Sequence, residues 1–321
     1  VSLSYFEFGT LAAFLVLADA QLDFAVLEIG LGGRLDAVNL IDADCAVITP
    51  IGLDHQDYLG DDLAAIGFEK AGIMRPGRPA VCGDPDPPRS LLAHAASIAA
   101  PLRRIGRDFH IETTDEGMRF RRNGTALELP LPALDGSHQV SNAATALAAV
   151  LELLPSSAQQ AEQLAQGLAA VELEGRFERV AERPVVWLDV GHNPMAAQAI
   201  ARLIRQARED GTVRHCRCVL AMLADKDAGA VGIELGPHIH EWFCAGLGGD
   251  RGQSGAQLQR RLQEVGGRTP IHPFEKVGQA LEAAIEASTE DDGVLVFGSF
   301  FTAAAAFDYL RETRNAGTSS G

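Results

Sequence analysis

Apolar and polar residues alternate along the first part of the chain in patterns that predict helices and strands in succession. Residues 6–21 carry apolar side chains at helical spacing, and residues 22–30 form an apolar run typical of a buried strand. A second buried strand is predicted over residues 43–52, followed by a helix over residues 63–73. This succession is typical of an α/β domain.

The pattern changes towards the middle of the chain. A short strand is predicted over residues 78–83 and a helix over residues 88–100. Residues 108–132 alternate and contain an Asn-Gly pair at 123 and 124, which predicts a β-meander with a tight turn. An amphipathic helix is predicted over residues 137–154, and a Ser/Gln-rich helix follows it.

A second α/β block follows residue 174. Short apolar runs separated by helical segments predict buried parallel strands with helices on both faces, and a helix begins at Pro194. The runs are VVWLDV at 185–190, CRCVLAML at 216–223, EWFCAGL at 241–247 and GVLVFGS at 293–299. We therefore predict an α/β protein with domains at residues 1–174 and 175–315, and a disordered polar tail at residues 316–321.

Charge and composition exclude several classes of function. The chain has 43 acidic and 27 basic residues, and this excess of negative charge argues against nucleic-acid binding, which depends on neutralising phosphates. No run approaches the roughly 20 apolar residues that cross a bilayer, so no membrane partner is expected. The five cysteines contain no C-x-x-C pair. They are interpreted as buried free thiols in a reducing cytoplasm, with a metal site at Cys216 and Cys218 as the alternative.

Three predicted strands end in unusual polar residues. Ligands of parallel α/β sheets bind at the carboxyl ends of the strands, so these side chains are candidates for chemistry. They are Glu28, Arg34 and Asp36 after the first strand, Asp54, His55 and Asp57 after the second, and Asp189, His192 and Asn193 in the second domain.

The stretch LEIGLGGRLDA, residues 27–37, is not a dinucleotide-binding loop. The fingerprint G-x-G-x-x-G needs a third glycine where this chain has Leu35, and no helical pattern follows. Glu28 is better interpreted as an oxygen ligand for Mg²⁺, which takes one or two protein groups beside phosphates and water. The structural alternative is an ion pair with Arg34.

Each of the other candidates also has a structural alternative. His55 is either a functional strand-end residue or a structural histidine. Lys70 is either a surface lysine or a desolvated, reactive amine near a metal. Arg176 either binds a phosphate or pairs with an acid, and Asn193 either contributes to a site or caps the helix that Pro194 begins.

Eight stretches extend the analysis from single residues to a family. They are YFEFGTLAAF, LEIGLGGRLDAVN, ITPIGLDHQDYLG, IGFEKAGIMRPGRP, EGRFERV, LDVGHNP, LAMLADKD and VFGSF. In this order, and over nearly the whole chain, they resemble the folylpolyglutamate synthase/dihydrofolate synthase family, relatives of the Mur ligases. The resemblance implies a P-loop NTPase-like Mur ligase central domain followed by a Rossmann-like C-terminal domain with a parallel sheet.

The resemblance also implies an activity. Such enzymes are monomeric, cytoplasmic, ATP- and Mg²⁺-dependent ligases that join L-glutamate to dihydropteroate or folate through an acyl phosphate. By matching motifs, Glu28 and His55 resemble magnesium ligands, and Lys70 resembles a lysine carbamylated by CO₂ that binds a second metal. These three are the catalytic candidates. Asn142, Arg176, Asp189 and His192 match positions around ATP, and Ser4, Phe6, Asp36 and Ala37 match positions that hold the pterin in bifunctional members.

The sequence departs from the family in one respect. The family's first domain opens with the phosphate-binding motif G-x-x-x-x-G-K-[ST], and these 321 residues do not contain it. We therefore expect a chain that lacks about the first hundred residues of a family member, an estimate from typical domain size. Alone, it is expected to have little or no ligase activity. The alternatives are a Mur-type amino-acid ligase with a nucleotide-linked cell-wall substrate, and a non-catalytic fragment that still binds nucleotide or folate.

Overall fold

A computed structural model describes residues 2–53, 60, 62–267 and 269–318. The chain divides into two compact units. The first comprises Val1–Pro132 and Ser137–Ala170, and the second comprises Ala133–Gly136 and Val171–Gly321. The two-domain α/β organisation agrees with the sequence prediction.

The first unit contains a three-stranded parallel sheet with strand order β1-β2-β3. Its strands are β1 (Ala46–Ile48), β2 (Ala80–Cys82) and β3 (Leu102–Arg104). The helices that accompany it are α1 (Tyr5–Asp19), α2 (Leu63–Ala71) and α3 (Arg89–Ser97), with a 3₁₀ turn at Ala37–Leu40. The central strand β2 is buried on both faces, which explains its uninterrupted apolar sequence.

The predicted β-meander forms as an antiparallel sheet of β4 (Phe109–Thr114), β5 (Gly117–Arg122) and β6 (Thr125–Leu129). Asn123 and Gly124 have φ values of 49° and 80°, as the tight turn between β5 and β6 requires. Helix α4 (Ser137–Leu153) packs its apolar face on this sheet and on Val81. A 3₁₀ turn at Pro155–Gln159 and helix α5 (Ala161–Ala169) complete the unit.

The strand predicted over residues 22–30 is wrong. Residues 24–29 form neither helix nor strand in the described structure, and the Val26 side chain is 98% exposed. No described strand pairs with this segment, so it lacks the ladder of hydrogen bonds that defines a strand. Helix α1 is correctly predicted, yet within the described part of the chain none of its residues is buried.

The second unit is built on a six-stranded sheet with the order β11-β10-β9-β12-β8-β7. The strands are β7 (Glu178–Glu182), β8 (Val185–Asp189), β9 (Cys216–Leu220), β10 (Glu241–Ala245), β11 (Ile271–Phe274) and β12 (Gly293–Phe297). All neighbours are parallel except β7, which is antiparallel to β8. The helices are α6 (Pro194–Glu209), α7 (Ala228–Leu235), α8 (Gly255–Glu264), α9 (Val277–Glu286) and α10 (Phe300–Thr318).

Two hydrophobic clusters cover the two faces of this sheet. Along β8, Val185 and Trp187 join one cluster while Val186 and Leu188 join the other, because successive side chains of a strand point to opposite faces. Burial on both faces explains why these strands appear as continuous apolar runs. The five cysteines are free thiols, as predicted.

Two shorter details differ from the expectation. Strands β3, β7 and β11 were not predicted, because their sequences are polar or too short to show a period. Helix α10 reaches Thr318, so residues 316–318 of the predicted disordered tail are helical, and residues 319–321 lie outside the described residues. Among the described helices, none has the length and apolar character needed to cross a membrane.

Candidate functional site

The glycine stretch after residue 28 forms a tight turn that packs against helix α2. Gly32 has a φ of +68°, a conformation that glycine adopts without strain. Gly33 lies so close to α2 that a Cβ atom there would be 2.7 Å from the Glu69 carbonyl oxygen and 3.2 Å from the Lys70 Cα. The absence of a side chain at Gly33 therefore brings the turn next to Lys70.

Asp36 stabilises this turn through hydrogen bonds to its backbone. One carboxylate oxygen accepts the backbone N–H of Leu31 at 2.9 Å, and the other accepts that of Val38 at 2.9 Å. The second bond caps the 3₁₀ turn that starts at Ala37. Both oxygens of Asp36 are therefore engaged by the backbone, and the side chain holds the conformation of the turn.

The predicted pterin-site residues Ser4 and Phe6 lie at the start of α1. Ser4 caps the helix in a capping box with Glu7. The Phe6 ring lies on Gly30, where an added Cβ would be 2.4 Å from the ring edge. The structure thus brings Phe6 to the glycine turn that contains Asp36.

The metal-site candidates are placed only in part. Glu28 is exposed and lies in the irregular segment that precedes the glycine turn, not at the end of a buried strand. Lys70 is half-buried in the last turn of α2. Arg34 forms its ion pair with Glu69 at 2.9 Å, with its guanidinium over the Phe68 ring, so the alternative that it neutralises Glu28 is not what the structure forms.

His55, together with Asp54 and Asp57, lies outside the described residues. Within the described residues no cluster of three or more His, Cys, Asp or Glu side chains could hold a metal ion. Cys216 and Cys218 accordingly belong to no such cluster, and both are buried in the core on one face of the second sheet.

In the second unit, Asp189 connects two turns at the carboxyl end of β8. It is 7% exposed, and its carboxylate accepts the N–H of Phe177 at 2.9 Å and that of Gly191 at 2.7 Å. Burial raises the pKa of Asp189 above its ordinary value, and the two hydrogen bonds act in the opposite direction. Electrostatic interaction with Arg176 and with His192 also lowers it.

Arg176 and His192 occupy the turns that Asp189 joins. The half-buried Arg176 guanidinium lies over the Phe300 ring, 5.5 Å from its centre. The His192 Nδ1 atom is 3.1 Å from the Val190 carbonyl oxygen. Asn193 accepts the N–H of Ala196 at 2.9 Å and caps α6, so the structural alternative for this residue is confirmed.

Asn142, the fourth predicted ATP residue, lies in the first unit. It is exposed on α4, and its side-chain amide donates to Gln139 at 3.1 Å. Arg176, Asp189 and His192 are thus brought together in the second unit, and Phe6, Asp36, Ala37 and Lys70 surround the glycine turn in the first.

Comparison with known proteins identifies the family. The Mur ligase middle domain matches residues 5–150, and the Mur ligase, glutamate ligase domain matches residues 175–300. The dihydrofolate synthase/folylpolyglutamate synthase of Escherichia coli (strain K12) is 41% identical over 319 residues, which cover 99% of this chain and 72% of that protein. This chain belongs to the dihydrofolate synthase/folylpolyglutamate synthase family.

Solved structures of the family have the same fold. E. coli FolC in complex with DHPP and ADP has a TM-score of 0.89 at 40% identity, over 98% of this chain and 72% of that one. The bifunctional synthase of Yersinia pestis, complexed with AMPPNP and Mn ion, has a TM-score of 0.86 at 40% identity, over 97% and 72% of the two chains. These members confirm the predicted fold class, the family resemblance and a carboxylate–amine ligase of the Mur type.

Two residues beside Arg176 were not singled out from the sequence. Phe177 follows Arg176 with a φ of +49°, which is unusual for a bulky residue, and Phe300 supplies the ring beneath the arginine. Both lie in quoted family stretches, EGRFERV and VFGSF. The available indications were an aromatic residue directly after the arginine and another that follows the last predicted strand.

Proposed function

We propose that this protein is an ATP-dependent ligase that adds L-glutamate to dihydropteroate, to folate, or to both. The γ-phosphoryl group of ATP moves to a carboxylate oxygen of the pterin substrate, giving an acyl phosphate and ADP. The glutamate amine then attacks the acyl carbon, phosphate leaves, and the nitrogen loses a proton as the amide forms. The observation that carries this proposal is the 41% identity to the E. coli synthase over nearly the whole chain.

The second unit provides groups suited to a nucleotide. The Arg176 guanidinium is a permanent cation with several donors, which suits phosphate oxygens. Its neighbour His192 carries a ring nitrogen at the same strand end. Asp189 has both carboxylate oxygens on backbone N–H groups, so we infer that it holds these two residues in place rather than contacting ATP through a free oxygen. Asn142, on α4 of the first unit, is proposed separately as a further nucleotide contact.

The first unit is proposed to hold magnesium through Glu28 and His55, and through Lys70 if its amine is carbamylated. Magnesium screens the charge of the transferring phosphates when bound. The exposed carboxylate of Glu28 suits this ion, which takes one or two carboxylates and otherwise binds substrate phosphates and water. Gly33 lets the turn that follows Glu28 lie against Lys70.

The pterin is proposed to bind near Ser4, Phe6, Asp36 and Ala37. The Phe6 ring on Gly30 offers an aromatic surface beside the glycine turn, and the Ala37 backbone follows the residue that fixes this turn. Because the Asp36 oxygens already bind the backbone, we infer that Asp36 shapes this site through the turn.

We further infer a monomer that works in the cytoplasm without nucleic-acid or membrane partners. The net charge of −16 supports the absence of nucleic-acid binding. The domain boundary is proposed near residue 174, between the two matched Mur ligase domains.

Thermal unfolding of the chain with ADP and Mg²⁺ tests the substrate class. A ligand that binds only the folded state raises the melting temperature. We expect dihydropteroate to raise it, and a UDP-muramoyl peptide at the same concentration to leave it unchanged. The reverse result would identify a Mur-type amino-acid ligase, and no shift with either ligand would contradict folate binding by this chain.

A further inference from the structure

Phe177 has a backbone conformation that is unusual for a bulky residue. Its φ of +49° lies in the left-handed region, which bulky residues rarely adopt. Such conformations persist when the surrounding structure enforces them, and they cluster at functional sites. Phe177 directly follows Arg176, so its conformation determines the direction in which the preceding residue leaves the turn.

Two contacts enforce this conformation. The Phe177 N–H donates to the buried Asp189 carboxylate at 2.9 Å. The Phe177 ring, 8% exposed, stacks on Trp187 with ring centres 5.0 Å apart and planes 12° apart. The backbone and the side chain of Phe177 are therefore both anchored to strand β8, by residues two positions apart on it.

The turn before Phe177 is fixed as well. The Gly175 carbonyl accepts the Val190 N–H at 2.9 Å, and the Gly175 N–H donates to Glu178 at 2.8 Å. Gly175 has a φ of +67°, and a Cβ there would lie 2.7 Å from Val190. With the residues on both sides held, Arg176 has its backbone fixed while its guanidinium extends over the Phe300 ring.

We propose that Phe177 is a positioning residue, which holds Arg176 at the carboxyl end of β8 through its stacked ring and its left-handed backbone. That Arg176 then contacts the phosphates of ATP rests on the proposed function. The position of Arg176 does not, so the two can be tested separately.

The position is tested on the full chain labelled with ¹⁵N-arginine. The Arg176 Nε–H resonance is assigned as the signal that disappears in Arg176→Lys. The contribution of the Phe300 ring to its chemical shift is the difference between the unsubstituted protein and Phe300→Leu. We expect Phe177→Tyr to keep this shift, because the stacked ring remains, and Phe177→Leu and Phe177→Ala to abolish it. Phe243→Leu is the matched control, because Phe243 is a buried aromatic residue in the other cluster of the same unit.

A folded Phe177→Leu protein with an unchanged Arg176 resonance would overturn the proposal. Leucine keeps most of the buried apolar volume, so the leucine variant is decisive if the alanine variant does not fold. Loss of folding in both variants would assign Phe177 a purely structural role and would also overturn it.

Calorimetric titration with ATP and Mg²⁺ measures whether Phe177 also affects nucleotide binding. We expect Phe177→Leu to weaken ATP binding about tenfold, since one charged contact is no longer held in place, and Phe243→Leu to leave it unchanged. If the unsubstituted chain binds no ATP, the proposed function fails while the arginine spectrum still decides the position. If the resonance moves and the affinity does not, Arg176 is positioned by Phe177 but does not contact ATP.

Discussion

The backbone N–H of Phe177 donates to the buried carboxylate of Asp189 at 2.9 Å. The same carboxylate accepts the N–H of Gly191, so one side chain connects the turn that carries Arg176 with the turn that carries His192. Both turns lie at the end of β8, where ligands of parallel sheets bind. Asp189 therefore organises the two turns that carry Arg176 and His192.

Replacing Asp189 by Asn is expected to destabilise the second unit. The amide keeps one acceptor and turns a donor towards a backbone N–H, which costs about 1–3 kcal/mol for a buried group. Urea denaturation followed by Trp fluorescence measures this change. A loss below about 0.5 kcal/mol would show that the two hydrogen bonds are not needed to hold the turns.

A comparison of the unsubstituted protein with Asp189→Asn also tests how stability depends on pH. Burial raises the pKa of Asp189 above 3.8, so the folded state keeps a proton that the unfolded state has already released. The contribution of Asp189 to stability is therefore largest below 3.8 and falls as the pH rises through the raised value. We expect the stability of the unsubstituted protein relative to Asp189→Asn to decrease over this window. A relative stability that increases with pH would contradict the assignment.

Gly33→Ala tests the packing of the glycine turn on α2. The new methyl group would collide with the Glu69 carbonyl oxygen, so we expect a loss of about 1–3 kcal/mol. Gly9→Ala in α1 is the control, because no described atom lies within 4 Å of its added Cβ, and alanine favours a helix by about 1 kcal/mol. Equal effects of the two substitutions in thermal unfolding would mean that the turn is not packed on α2.

Glu28→Gln separates metal binding from folding. The side chain is exposed, so the free energy of unfolding should change by less than about 0.5 kcal/mol. The loss of the carboxylate charge should weaken Mn²⁺ binding, measured by electron paramagnetic resonance in the presence of ADP, while the exposed Glu172→Gln leaves it unchanged. Equal Mn²⁺ affinity in the two variants would remove Glu28 from the metal site.

The 321-residue chain alone should show little ligase turnover. It contains no G-x-x-x-x-G-K-[ST] motif, whose backbone amides cradle phosphates and whose lysine reaches them. Product formation from ATP, Mg²⁺, dihydropteroate and L-glutamate, measured by mass spectrometry beside the E. coli relative, checks this. Turnover equal to that of the relative would overturn the expectation.

Periodicity was sufficient where a segment buries one face or both. Helix α4 and strands β8, β9, β10 and β12 follow directly from the spacing of apolar residues, and the Asn123-Gly124 pair located its turn correctly. The same rule failed for residues 24–29, where apolar composition predicted a strand that no described neighbour pairs with. Apolar composition shows that a segment can be buried. Whether it forms a strand depends on pairing with other strands that are distant in sequence.

The candidate site was predictable as residue types but not as contacts. The motifs grouped Asn142, Arg176, Asp189 and His192. In the structure Asp189 joins the turns that carry Arg176 and His192, while Asn142 lies in the first unit. The sequence could not predict that the carboxylate oxygens of Asp189 and Asp36 accept backbone N–H groups. Those hydrogen bonds depend on turn conformations such as the positive φ of Phe177. Likewise, Arg34 forms its ion pair with Glu69, 35 positions away in the sequence, rather than with the nearby Glu28.

The formation of the amide itself tests the central claim most directly. The part of the E. coli relative that lies outside its match to this chain can be fused to the chain, and the folded fusion incubated with ATP, Mg²⁺, L-glutamate and dihydropteroate. The account predicts glutamylated dihydropteroate and ADP in equal amounts, and neither product in the fusion that carries Arg176→Ala. A folded fusion that glutamylates no dihydropteroate, under conditions in which the intact relative does, would contradict it.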